Sequence, residues 1–149
     1  LSDAVSDDDF LDGTLLTCQS FHIDRGGLLR VSSAGHPPPL LLTRAGSAEA
    51  LPVRGPLPGM AAHEGYRQHH TQLTAGDKVI FATDGFFDVF GPPAENNAPA
   101  ALLALLPPLA VTDAVQTAQS LWQSFEAAAC QAAHGADDAT LIVLQYGEA

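Results

Sequence analysis

An α+β fold is predicted by three features of the sequence. Short apolar runs bounded by Gly- and Pro-containing turns occupy the chain up to Ala82, the pattern of strands. A 3.6-residue apolar period appears only later, after Thr112, the pattern of a helix laid against a sheet. The 149 residues, 46% hydrophobic and 15% charged, make a chain of one-domain size that can build a core.

The elements follow in order. Thr14 to Ile23 (TLLTCQSFHI) is rich in apolar and Thr residues and reads as a strand. Asp24-Arg25-Gly26-Gly27 is a tight turn, since Gly tolerates positive φ and Asp bonds its own backbone. Leu28 to Ala34 returns, Gly35-His36-Pro37-Pro38-Pro39 turns again, and Leu40 to Arg44 follows, so an antiparallel meander is expected. Residues 45 to 65 read as irregular, and Tyr66 to Leu73 as a polar, edge-like strand. After the turn Thr74-Ala75-Gly76-Asp77 comes Lys78 to Ala82, the most apolar strand and the expected centre of a sheet. Thr83 to Phe90 enters a short helical turn that Gly91-Pro92-Pro93 stops. Asn97 caps a helix with Pro99 in its first turn, ending before Pro107-Pro108. Thr112 caps a longer one to about Ala133, with Val115, Ala118, Trp122, Phe125 and Ala129 as its core face. Leu141 to Tyr146 is the last strand.

Charge excludes several functions. Six Lys and Arg against 17 Asp and Glu leave a net charge of −11, a poor match to a phosphate backbone or an anionic membrane surface. No apolar run reaches the roughly 18 residues of a membrane span. Cys18 and Cys130 show no CxxC or framework spacing and are expected to be buried, reduced thiols in a cytoplasmic protein.

Asp3, Asp7, Asp8, Asp9 and Asp12 form an acidic N-terminal segment, residues 1–13, that reads as solvated. Asp84 and Asp137 differ, because each stands where the chain leaves or enters an apolar strand. If those strands are neighbours, two carboxylates converge on one hard cation, Mg²⁺ or Mn²⁺, which takes carboxylate and water oxygens. Each acid also has a plainer reading: Asp84 as the cap of the short helix, Asp137 as a turn residue. His36 reads as a turn residue, and His69 and His70, adjacent on a strand, point to opposite faces. His22, His63 and His134 have no zinc spacing with either cysteine.

Four blocks carry a resemblance. Leu73 to Val89 (LTAGDKVIFATDGFFDV), Ser32 to Leu42 (SSAGHPPPLLL), the loop Gly55 to Gly59 (GPLPG) and Gly135 to Gln145 (GADDATLIVLQ) are similar, in family order, to motifs of the PPM-type (PP2C-like) protein phosphatases, SpoIIE/RsbU branch. The resemblance implies a PP2C-like antiparallel β-sandwich flanked by helices, here residues 14–149 as the C-terminal portion of the domain. It implies a two-metal Mn²⁺ or Mg²⁺ centre whose activated water attacks phosphoserine or phosphothreonine. By motif, Asp84 and Asp137 correspond to metal ligands, Asp137 being the aspartate three residues before Thr140. Asp88 corresponds to an acid that holds a further, weaker metal or has a structural role.

Residues 1–13 lack the family's Asp-x-x-Gly-His-Gly segment, so the centre is incomplete in this chain and the N-terminal strands of the sandwich are expected to be absent. Either the chain is a fragment, its missing strands come from elsewhere, or it no longer catalyses. Two functions follow. One is a phosphatase acting on a small phosphorylated regulator of the anti-sigma-factor antagonist type. The other is an inactive docking module on the same scaffold. In both, a homodimer through an exposed sheet edge is expected.

Overall fold

The computed structural model describes residues 15–59, 65–94, 97–131 and 137–147. In chain order the strands are β1 (Cys18–Ile23), β2 (Leu28–Ala34), β3 (Leu40–Leu42), β4 (Ala48–Ala50), β5 (His69–Gln72), β6 (Lys78–Ala82) and β7 (Leu141–Gln145). Between β6 and β7 come α1 (Asp84–Asp88), α2 (Ala100–Leu105), a 3₁₀ helix (Pro107–Val111) and α3 (Ala114–Ala129). Two antiparallel sheets and a late set of helices bear out the α+β expectation. The chain divides into two compact units, one holding β1, β2 and β5 and the other the remaining elements.

In the first unit β2 lies between β1 and β5. Leu29 and Val31 are fully buried while Leu28, Arg30 and Ser32 are half-buried, the alternation of a strand with one covered face. The expected turn closes β1 onto β2: the Asp24 carboxylate accepts from the N–H groups of Gly26 (2.9 Å) and Leu28 (3.0 Å), and Gly27 takes φ 83°. The Leu28 N–H bond, more than the neighbouring Gly26 N–H and Arg30, holds the Asp24 carboxyl below its ordinary value. Val31 faces His69 and Arg30 faces His70, so the two histidines do lie on opposite faces. The GPLPG loop is pinned to the Gly-His turn by the Gly35 N–H bond to the Gly55 carbonyl (3.0 Å), and a side chain at Gly55 would collide with the Ser33 carbonyl.

The expected meander stops at β2. That strand pairs with β5, and β3 pairs with β4 and β6 in a separate sheet. Pro37, Pro38 and Pro39 lack ladder donors, so the chain between β2 and β3 makes no hairpin.

In the second unit the order is β4-β3-β6-β7, and β6, buried at every position, is central as expected. Leu40, Leu42, Ile80, Phe86, Leu102, Leu106, Leu121 and Phe125 form its core, each side chain removed from water contributing roughly 1.5–3 kcal/mol. β4 lies inside the segment expected to be irregular. Ala48-Glu49-Ala50 has no strand propensity, and its pairing is imposed by the turn at Gly46 (φ 89°), where Gly46 N–H meets the Thr43 carbonyl at 2.9 Å.

Three helix details differ from expectation. Asn97 is not a cap; it sits at φ 61°, and Pro99 occupies the N-cap of α2. The cap of α3 is Asp113, whose carboxylate accepts from Gln116 N–H at 2.8 Å, while the Thr112 hydroxyl donates to the Leu109 carbonyl at 2.8 Å. The buried stripe of α3 is Thr117, Leu121 and Phe125; Val115 is 65% exposed, and Trp122 is only partly covered, stacked on Phe86 with its ring centroids 6.3 Å apart. Both cysteines are free as expected, but Cys130 is exposed and Cys18 half-buried. The acidic segment, His63 and His134 lie outside the described residues.

Candidate metal centre

The site is built where β6 hands over to α1. Thr83 is extended (φ −75°, ψ 164°), and its carbonyl accepts from Phe86 N–H (3.1 Å) and Phe87 N–H (3.3 Å), which starts the helix. Asp84 is the first helical residue and Asp88 the last; four apart, they share a helix face, and both are exposed. Thr83, not Asp84, occupies the N-cap, so the cap reading of Asp84 is not what the backbone adopts.

Antiparallel pairing with β7 brings the other acid close. The ladder ends at Ala82 opposite Leu141, and one step further Thr83 N–H bonds the Thr140 carbonyl at 3.1 Å. The Thr83 hydroxyl accepts from Thr140 N–H at 2.9 Å and donates to the Asp138 carbonyl at 3.5 Å. A side chain at Gly85 would sit 2.5 Å from the Asp138 carbonyl oxygen and 3.1 Å from the Asp137 carbonyl carbon. The backbone of Asp137 and Asp138 therefore lies directly against the first turn of α1, beside Asp84.

Both carboxylates are exposed and lightly engaged. One oxygen of Asp84 accepts from Gly85 N–H (3.0 Å), and one oxygen of Asp137 accepts from Asp138 N–H (2.8 Å). Each has a second oxygen without a hydrogen-bond partner among the described residues. Two hard oxygen donors at rigid strand ends fit a cation that retains water, as Mg²⁺ and Mn²⁺ do. Among the described residues no three His, Cys, Asp or Glu side chains form a group able to hold a metal ion, so Asp88 does not join Asp84 and Asp137 in one.

His36 is a turn residue as read: its carbonyl accepts from the Ser33 hydroxyl, and its Nδ1 meets the Thr17 hydroxyl, both at 3.0 Å. Sequence reasoning named Thr83 and Gly85 only as motif letters; their roles depend on which strand neighbours β6. It also missed the buried pair Asp77 and Lys78 at the other end of β6, for which the turn Thr74-Ala75-Gly76-Asp77 was the available signal.

Comparison with known proteins gives these contacts a context. The family model described as stage II sporulation protein E (SpoIIE) matches residues 2–147, a span that takes in most of the acidic segment. The chain belongs to the SpoIIE family. Solved structures agree in fold. The RsbU and RsbW domains of Rv1364c from Mycobacterium tuberculosis superpose with a TM-score of 0.67 at 26% identity, covering 87% of this chain and 35% of that one. The SiaA-PP2C domain of Pseudomonas aeruginosa gives 0.74 at 17% identity, covering 97% and 57%. The Mn-presoaked phosphatase domain of SpoIIE from Bacillus subtilis gives 0.67 at 19% identity, covering 89% and 57%. The chain thus spans from about a third to somewhat over half of these three structures. Two of these structures are a phosphatase domain and a PP2C domain, and this SpoIIE-family chain shares their fold. No described helix is long and apolar enough to cross a membrane.

Proposed function

We propose that this SpoIIE-family chain supplies part of a metal-dependent protein serine/threonine phosphatase site, with Asp84 and Asp137 as ligands to Mn²⁺ or Mg²⁺ and Asp88 as a weaker ligand to a further ion. The observation that supports the reading is the placement of the Asp137–Asp138 backbone against Gly85, the residue after Asp84, with both carboxylates exposed and lightly engaged. When bound, divalent ions of this kind activate water and neutralise phosphoryl oxygens. The chain's own part is to hold those carboxylates still. Asp84 opens α1, and the residue after Asp137 is tied by its carbonyl to the Thr83 hydroxyl, so less backbone freedom is lost at binding.

The substrate in this reading is a small phosphoserine or phosphothreonine protein of the anti-sigma-factor antagonist type, met in the cytoplasm, where exposed thiols such as Cys130 stay reduced. Pairing of two copies through an open edge belongs to the same reading. β1, β4, β5 and β7 each end a sheet among the described residues, and unpaired ladder groups seek a partner. The test is phosphate release from a phosphoserine peptide by the intact protein with Mn²⁺. The expected result is turnover that Asp84→Ala abolishes. Turnover unchanged by that substitution rejects the ligand assignment, and a folded protein that neither binds Mn²⁺ nor releases phosphate has the docking role instead.

A further inference from the structure

We propose that Thr83 and Gly85 are positioning residues that fix the spacing of Asp84 and Asp137, Thr83 by standing in for a backbone carbonyl and Gly85 by leaving room for the facing chain. The inference deepens the phosphatase reading and rests on it. In an antiparallel ladder, a hydrogen-bonded pair exchanges two N–H···O=C bonds. Thr83 and Thr140 make the first of these, Thr83 N–H to the Thr140 carbonyl. The second would need the Thr83 carbonyl, but that oxygen has turned away to accept from Phe86 and Phe87 at the start of α1. The Thr83 hydroxyl takes its place, accepting the Thr140 N–H at 2.9 Å, and its own proton is directed to the Asp138 carbonyl.

The pairing is thereby carried one residue past the ladder's end at Ala82, to the last extended residue before the helix. That extra pair leads the Asp137–Asp138 backbone against Gly85, the residue after Asp84. Valine has the same shape as threonine but neither accepts nor donates, whereas serine does both. Gly85 completes the arrangement sterically. Any Cβ there meets backbone at 2.5 Å, and backbone cannot swing aside as a side-chain tip can, so the Asp137–Asp138 segment must retreat.

The experiment compares Thr83→Val, Thr83→Ser and Gly85→Ala in the intact protein. It reads amide exchange at Thr140, Mn²⁺ affinity by calorimetry, and the unfolding midpoint. Thr83→Val should speed Thr140 exchange and weaken Mn²⁺ binding about 10-fold or more, the usual cost of losing a group that orients a ligand. Thr83→Ser should restore both, and Gly85→Ala should weaken Mn²⁺ binding while Thr83 is intact. Faster Thr140 exchange with unchanged Mn²⁺ affinity overturns the positioning role, as does weak binding in Thr83→Ser. If Thr83→Val does not fold, Thr83→Ser and Gly85→Ala decide by the same two readouts. Loss of the underlying phosphatase reading looks different: Asp84→Asn then leaves Mn²⁺ affinity intact, while Thr140 exchange still responds to Thr83→Val.

Discussion

The two ends of β6 both carry charge and treat it in opposite ways. At the N-terminal end, Asp77 and Lys78 are 4% and 1% exposed, and their polar atoms are spent on the protein. The Asp77 carboxylate accepts from the backbone N–H groups of Arg44 and Thr74, both at 2.8 Å, and from the Thr74 hydroxyl at 2.9 Å. The Lys78 ammonium donates to the carbonyls of Ala110 (3.0 Å) and Leu109 (3.3 Å), which terminate the 3₁₀ helix. At the C-terminal end, Asp84 and, across the ladder, Asp137 are exposed and each makes one short local bond. A buried charge persists only when fully bonded, and then nothing is left for a ligand. An exposed carboxylate on a rigid strand end keeps its lone pairs. One strand therefore anchors the fold at one end and offers oxygens at the other.

Substitutions at each end should separate these roles. The largest effect is expected for Asp137→Ala: Mn²⁺-dependent phosphate release falls by about 100-fold or more, beyond what removal of an orienting neighbour costs. Its denaturation midpoint should move by less than the equivalent of ~0.5 kcal/mol, since the residue is exposed. Asp77→Ala should do the reverse, leaving Arg44 and Thr74 donors unpaired and costing about 3 kcal/mol in urea unfolding with an unchanged slope. Equal effects of the two on stability would break the contrast.

Lys78 sharpens it through pH. Burial lowers its ammonium below 10.5, and the charges of Asp113 and Asp77 offset part of that. Because the folded value is the lower one, the unfolded chain holds the proton over a range where the folded protein has released it. Stability contributed by this group therefore rises as pH climbs from the folded value toward 10.5. Urea midpoints measured across that alkaline range should rise relative to Lys78→Met, in which the slope disappears. The smallest expected effect is at Asp113. Asp113→Ala removes the α3 cap and should lower stability by about 1 kcal/mol, without changing Mn²⁺ affinity.

Much of this was legible in the sequence, and the gaps have physical causes. β2, β6 and the Asp24–Gly27 turn were readable because apolar runs and turn residues act locally. β4 was not, since Ala48-Glu49-Ala50 is a strand only through its partner β3. The face of α3 was read in part: Phe125 and Ala129 pack as expected, but Thr117, a polar residue buried with its hydroxyl bonded to the Asp113 carbonyl at 2.7 Å, shifts the stripe away from Val115. Asp84 and Asp137 stood out as acids at strand ends, and the Thr-Asp-Gly and Asp-Asp-Ala-Thr motifs strengthened them. What Thr83 and Gly85 do could not be read, because it arises from β6 lying beside β7, a contact between segments more than fifty residues apart in sequence.

The central claim, that Asp84 and Asp137 share a divalent cation, is tested most directly by titrating Mn²⁺ into the intact protein and following free Mn²⁺ by electron paramagnetic resonance. Asp84→Asn and Asp137→Asn, which keep the shape and remove the charge, serve as the comparison. Depletion of the free-ion signal by the unaltered protein, lost in both variants, is the predicted result. Depletion that survives either substitution undiminished would contradict it.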